Sequence, residues 1–109
     1  MLEIRYYLSD DGRSPFERWF SGLTAAAGAK VAVALARLEQ GNLSNVKTVG
    51  GGVLEYRLDW GPGYRVYFGR DGSTLVILLT GGTKQRQQQD IATAKALWAD
   101  YKLRKPRAR

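Results

Sequence analysis

Residues 2–8, LEIRYYL, set Ile4, Tyr6 and Leu8 against Glu3, Arg5 and Tyr7, the two-residue period of a half-buried strand. The chain then breaks at SDDGRS, and the period lengthens. Phe16, Trp19, Phe20 and Leu23 fall at i, i+3, i+4 and i+7, the buried stripe of a short helix. Its start is predicted at Ser14-Pro15-Phe16-Glu17, with Ser14 as cap, proline in the first position and Glu17 closing a capping box. Gly22 and Thr24 separate it from a second helix over about 25–40. That helix turns Ala27, Val31, Ala34, Leu35 and Leu38 inward and ends at Gly41-Asn42.

Beyond a glycine-rich loop (GGG at 50–52) lie three strand-like runs, 53–59, 64–70 and 73–80. Asp71-Gly72 is a two-residue hairpin signal, which pairs Arg70 with Ser73, Phe68 with Leu75 and Val66 with Ile77. WGPG fits a three-residue loop at 60–62 with Gly63 free to take a positive φ. That loop pairs Leu58 with Tyr64, Arg57 with Arg65 and Glu55 with Tyr67. A slip of one residue would set Arg57 beside Val66 and carry charge into the core, so the first register is expected. The sheet then has an apolar face (Leu54, Tyr56, Leu58, Tyr64, Val66, Phe68, Leu75, Ile77, Leu79). Its open face carries Glu55, Arg57, Arg65 and Tyr67. Ile91, Ala94, Trp98 and Tyr101 mark a last helix over about 87–101. The order β-α-α-β-β-β-α predicts an α+β domain, a mostly antiparallel four-stranded sheet with helices packed on one face.

The chain has 109 residues, 44% hydrophobic and 25% charged, which suits a single core. It contains no cysteine and no histidine, so thiol nucleophiles, disulfides, imidazole bases and zinc sites built on those ligands are excluded. The net charge of +7 is unevenly spread. Residues 1–40 balance to zero, residues 41–101 carry a small excess, and the last eight, KLRKPRAR, are basic without a single acid. The division is therefore one domain over 1–101 and a basic tail over 102–109, which is either a solvated, frayed end or an electrostatic contact for nucleic acid. No stretch reaches the ~20 apolar residues of a membrane span. MLEIRYYLSDDG also lacks the apolar core of a signal peptide. The expectation is a soluble cytoplasmic protein with no membrane partner.

Two arginines opposite each other on neighbouring strands repel unless something anionic relieves them. Glu55 and Asp59 can do so as members of an ordinary solvated face. Alternatively, Lys47, Arg57, Arg65, Lys84 and Arg86 converge at one end of that face as a phosphodiester site, since guanidinium forks bind phosphate oxygens bidentately. Tyr67 beside them is placed to stack on a base or donate a hydrogen bond, or is simply a good strand former. The glycine runs at 50–52 and 81–82 serve either anion-binding backbone amides or tight turns. Glu55, Asp59 and Asp90 are too few and too scattered for a Mg²⁺ site, so no metal or cofactor is expected. Asp90 also fits the first turn of a helix, where the dipole favours an acid.

LEQGNLSNVKTVGGGVLEYRLDWGPGYRVYF followed by LLTGGTKQRQQQDIATAKALW resembles the RelE/ParE-type toxins of type II toxin–antitoxin modules. The similarity is to the phage Gp49-like, or addiction-module killer, branch related to HigB toxins, and it spans about residues 3–101. The resemblance implies a RelE-like fold and a toxin neutralised by a cognate antitoxin, often a helix-turn-helix protein. It implies a ribosome-dependent endoribonuclease whose partners are the ribosome and mRNA. In that reaction the ribose 2′-OH attacks the adjacent phosphate. Arg65, in GYRVYF, falls where such toxins keep an arginine on the scissile phosphate. Arg57 falls at the basic position of the preceding strand and Lys84 near the basic residue after the last strand. Lys47 has no counterpart in the motif and is included, with Tyr67 and Arg86, as an RNA-binding residue by its location alone. RelE-like toxins often place a tyrosine near the C-terminus as acid or base, and HigB-like ones a histidine; the corresponding stretch here is QQQDI. Glu55, Asp90 and Tyr67 are thus the candidate bases. The same fold also serves ParE-like toxins that poison DNA gyrase without nuclease chemistry, and modules that act only with their antitoxin on an operator.

Overall fold

The computed structural model describes residues 1–105. Strand β1 (Glu3–Tyr6) leads into helix α1 (Pro15–Ser21), whose cap is Ser14: its hydroxyl accepts from the Glu17 amide at 3.0 Å. Helix α2 (Ala25–Glu39) starts the same way on Thr24, which accepts from the Ala27 amide at 3.2 Å, and it buries Ala27, Val31, Ala34 and Leu38. Both caps satisfy amides that no helical carbonyl can reach. Four further strands follow, β2 (Val46–Gly50), β3 (Val53–Arg57), β4 (Tyr64–Asp71) and β5 (Leu75–Thr83). A 3₁₀ turn at Lys84–Arg86 opens directly into helix α3 (Gln87–Arg104).

The sheet has five strands rather than four, in the order β1-β5-β4-β3-β2, with β1 parallel to β5 and the other neighbours antiparallel. The added strand is β2, drawn from the segment expected to be loop. Its sequence VKTVG gives only two apolar positions, Val46 and Val49, and it lies at the sheet edge with most of its residues exposed. Gly50, Gly51 and Gly52 all take positive φ and turn it back into β3.

The β3–β4 register is the expected one, with Glu55 opposite Tyr67 and Arg57 opposite Arg65. The β4–β5 register is not. Asp71 pairs with Leu75 and Phe68 with Leu78, and a bulge after Tyr67 then sets Tyr67 against Thr80 and Arg65 against Gly82. This shift transfers Leu75, Ile77 and Leu79 to the opposite face of the sheet. The physical reason lies in the run LVILL, where every residue is apolar. Such a strand is buried on both sides, and its alternation says nothing about which way it faces.

Helices accordingly cover both faces rather than one. Against α1 and α2 lie Phe16, Val31, Leu38, Tyr56, Val66, Phe68, Val76 and Leu78. Between the other face and α3 lies a second core of Tyr7, Val53, Tyr67, Ile77, Leu79, Ala94 and Trp98. Trp98 closes on Gly69 so tightly that a Cβ there would stand 2.5 Å from the indole. Two tyrosine–carboxylate bonds pin α3 in place, Tyr7 to Asp100 and Tyr101 to Asp71 at 2.7 Å. The end of α3 runs three residues past the expected 101, and Arg104 and Lys105 pair with Asp100 and Asp71. The rest of the basic tail, residues 106–109, lies outside the described residues. Among the described residues no helix is long and apolar enough to cross a membrane.

Candidate functional site

The face expected to be open is a roofed one. Glu55 sits near the middle of β3 and is wholly buried, an outcome that a carboxylate tolerates only when its oxygens are bonded. Arg57 donates from Nε to Oε1 at 2.7 Å, and Gln87, in the first turn of α3, donates from Nε2 to Oε2 at 2.9 Å. Burial would raise the Glu55 carboxyl. The bonds from Arg57 and Gln87, the adjacent Tyr67 hydroxyl and the Arg57 charge outweigh it, so the group is held below its ordinary value.

Tyr67, directly across the ladder, is also wholly buried. An exposed ring able to stack on a base is therefore not what β4 presents, because α3 lies over it. Its hydroxyl lies beside Glu55 but meets no hydrogen-bond partner in good geometry. Burial, with Glu55 and Asp90 nearby and only Arg65 opposing, raises its pKa far above neutrality. Tyr67 therefore keeps its proton and does not suit the role of base.

Arg65 faces Arg57 on one neighbouring strand and Gly82 on the other. Its Nη1 donates to the Gly63 carbonyl at 2.7 Å, while its Nε is buried without a partner. Asp90 descends from α3 onto Gly82, where a Cβ would stand 1.8 Å from Oδ2, so a side chain at 82 and a carboxylate at 90 exclude each other. Asp90 Oδ2 is buried and unpartnered. Burial raises its pKa, and the charge of Arg86 opposes the rise without cancelling it. Four buried side-chain polar atoms lack a partner among the described residues, and Arg65 Nε, Tyr67 Oη and Asp90 Oδ2 are three of them. Buried polar atoms of this kind are few in folded proteins, and these three belong to residues that influence one another, since Asp90 and Arg65 both act on the Tyr67 hydroxyl.

Lys84 and Arg86 are exposed on the 3₁₀ turn, and the Lys84 amide bonds to the Pro62 carbonyl at 3.4 Å, which keeps it beside the β3–β4 turn. Lys47 is exposed on β2, opposite Glu55. The structure thus gathers Glu55, Arg57, Arg65, Tyr67 and Asp90 under α3, with Lys84 and Arg86 on the rim and Lys47 one strand further out. Gln87 is a member that the sequence reading missed. Its spacing from Asp90, i and i+3, places both on one helix face and was the signal available.

Chemically, the two carboxyls are driven apart. Glu55 stays ionised and anchors Arg57, while Asp90 binds its proton more tightly and suits transfer. The acid side of this is testable. A carboxyl held low in the fold contributes stability above its ordinary value of 4.5, and that contribution is lost as pH falls through the lower folded value. Glu55→Gln should therefore weaken the protein at neutral pH and flatten its stability profile below about pH 5. Urea midpoints measured from pH 3 to pH 7 check this, and parallel profiles for the two proteins would refute it.

The family model described as "Phage derived protein Gp49-like (DUF891)" matches residues 18–99 of this chain, a span that contains every residue of the site. A protein of Haemophilus influenzae (strain ATCC 51907 / DSM 11121 / KW20 / Rd), described as "Uncharacterized protein", is 45% identical over 83 residues, covering 75% of this chain and 84% of its own length.

Proposed function

The chain belongs to the phage-derived Gp49-like family, a family of toxin-like proteins of the RelE/HigB type, and on that premise we propose that it is a toxin that cleaves mRNA on the ribosome. Its partner in this reading is a cognate antitoxin of the helix-turn-helix kind. The observation that supports the reading best is the opposed Arg57–Arg65 pair, with Asp90 lying over Gly82, the residue that Arg65 faces on β5. Two guanidiniums placed across a ladder repel, and a phosphodiester between or above them relieves the repulsion while aligning its oxygens.

In the reaction proposed, Arg65 and Arg57 hold the scissile phosphate, and Lys84 adds charge from the rim. Asp90 accepts the proton of the ribose 2′-OH as its oxygen attacks phosphorus. The bond to the 5′-oxygen breaks, leaving a 2′,3′-cyclic phosphate, and the departing oxygen takes a proton from solvent. Glu55 is a positioning residue, since both its oxygens are engaged by Arg57 and Gln87. No step requires histidine.

The test adds the purified protein to a reconstituted translation system and maps mRNA 5′ ends by primer extension. Arg65→Ala is expected to lose roughly 10²–10³ in cleavage rate, the scale of one preorganised electrostatic contact. Because Arg65 is buried, circular dichroism of the variant and a parallel Arg65→Lys protein separate loss of chemistry from loss of fold. Ends produced equally by folded Arg65→Ala would overturn the site. Intact mRNA and full translation with the wild-type protein would overturn the nuclease and direct attention to DNA gyrase.

A further inference from the structure

A second feature lies beside the site without belonging to it. Between α2 and the end of β3 runs a groove with a cavity volume of about 240 Å³, lined among others by Lys30, Arg37, Arg57, Asp59 and Trp60. Trp60 is 37% exposed in the β3–β4 turn, unusual for a side chain with so much apolar area. It is also rigidly backed. Its ring stacks on Tyr64 at 6.0 Å and 24°, Tyr64 packs edge-on against Trp19 at 6.2 Å, and Trp19 reaches buried Phe16 at 5.7 Å. The Lys30 ammonium stands 5.7 Å from the Trp60 ring centre. Lys30 and Arg37 are seven residues apart on α2, so both project from one side of the helix. Among the described residues neither forms an ion pair.

From this arrangement we propose that the groove is a subsite for single-stranded RNA, taking a nucleotide that flanks the one held at Arg57 and Arg65. The inference rests on the RNA reading above and extends it. An exposed aromatic fixed by a ladder into the core offers a stacking surface for any base, and two unpaired cations beside it suit the backbone phosphates on either side. The charges lining the groove, three basic against one acidic, favour a polyanion. The groove lies on the α2 face of the sheet and the Glu55 site on the α3 face, and Arg57, at the end of β3, is the residue common to both. Base stacking here requires Lys30 to swing from the indole to a phosphate, an exchange of one favourable contact of the ammonium for another.

The experiment titrates the full-length protein at low salt with a fluorescein-labelled single-stranded RNA of ten nucleotides and reads anisotropy. Trp60→Ala should weaken binding roughly tenfold, as for one lost stacked base, with an unchanged salt dependence. The double variant Lys30→Gln/Arg37→Gln should flatten the slope of log affinity against log salt by about 1.4, since each single-strand phosphate contact contributes ~0.7. Circular dichroism of each variant confirms its fold. Absence of RNA binding by the wild type, or variants that bind as it does, would overturn the subsite. Wild-type affinity for RNA in variants that no longer bind the antitoxin would also overturn it and give the groove to a protein partner. The mRNA-end assay separates the two readings. Groove-dependent binding without new ends sinks the nuclease alone, and new ends with groove-independent binding sink the subsite alone.

Discussion

Asp90→Asn is expected to make the protein more stable at neutral pH and two to four orders of magnitude slower in mRNA cleavage. Both halves follow from one placement. The Asp90 carboxyl is raised above its ordinary value of 3.8 by burial against Gly82, with Arg86 only partly offsetting the cost. A folded carboxyl with a raised pKa binds its proton more tightly than the unfolded chain does. The Asp90 contribution to stability is therefore fully present below pH 3.8 and is lost as pH rises through the folded value, because the buried oxygen must ionise. An amide carries no such penalty, so the variant gains over the wild type above that range and matches it below. The loss in rate, roughly 10²–10⁴, is that of removing a general base. Urea denaturation at pH 3 and pH 7 beside the cleavage assay reads both. A variant less stable than wild type at pH 7, or one that cleaves at the wild-type rate, would remove Asp90 from the role proposed.

Trp98→Ala should cost about 3–5 kcal/mol, the range for deleting a large buried aromatic. The indole is nearly buried, fills the gap over Gly69, stacks on Tyr101 at 5.1 Å and completes the core with Val53, Tyr67, Ile77 and Leu79. Against a typical domain stability of about 5–15 kcal/mol that is a large share. At roughly 4 °C per kcal/mol for a chain of this size, the melting temperature should fall by about 12–20 °C. The functional consequence is specific. Helix α3 carries Gln87 and Asp90, so loosening its packing frees both, and cleavage should fall even below the new melting temperature. Thermal melts followed by circular dichroism decide the first point and the cleavage assay at 20 °C below the melt decides the second. A variant melting within a few degrees of the wild type would show that α3 is held by its Tyr7–Asp100 and Tyr101–Asp71 bonds instead.

Much of this was legible along the chain. The Ser14 cap, the two helical stripes and the β3–β4 register each rest on residues near one another in the chain, the hairpin pairs running from Arg57–Arg65 to Val53–Gly69. The opposition of Arg57 and Arg65, on which the functional reading turns, belongs to this class: a glycine-containing loop of known length forces it. So does the charge imbalance of the chain, with its concentration after residue 101.

What the chain did not disclose was which surfaces would be covered. Tyr7, Glu55, Arg65 and Tyr67 carry polar atoms, and polar positions alternating with apolar ones read as a solvated face. They are buried because α3, distant in sequence, supplies Gln87 to Glu55 and Asp100 to Tyr7. Burying a polar group is tolerable only once its partner arrives, and the partner arrives from 32 and 93 residues away. The same holds for the shift of β5 relative to β4: an all-apolar strand accepts either facing until a second layer selects one. By itself, then, the sequence determined the elements, the local pairings and the cast of charged residues. Only the tertiary structure decided that those residues form an enclosed site with two carboxyls of opposite tendency, because desolvation and long-range hydrogen bonds exist only when the layers close.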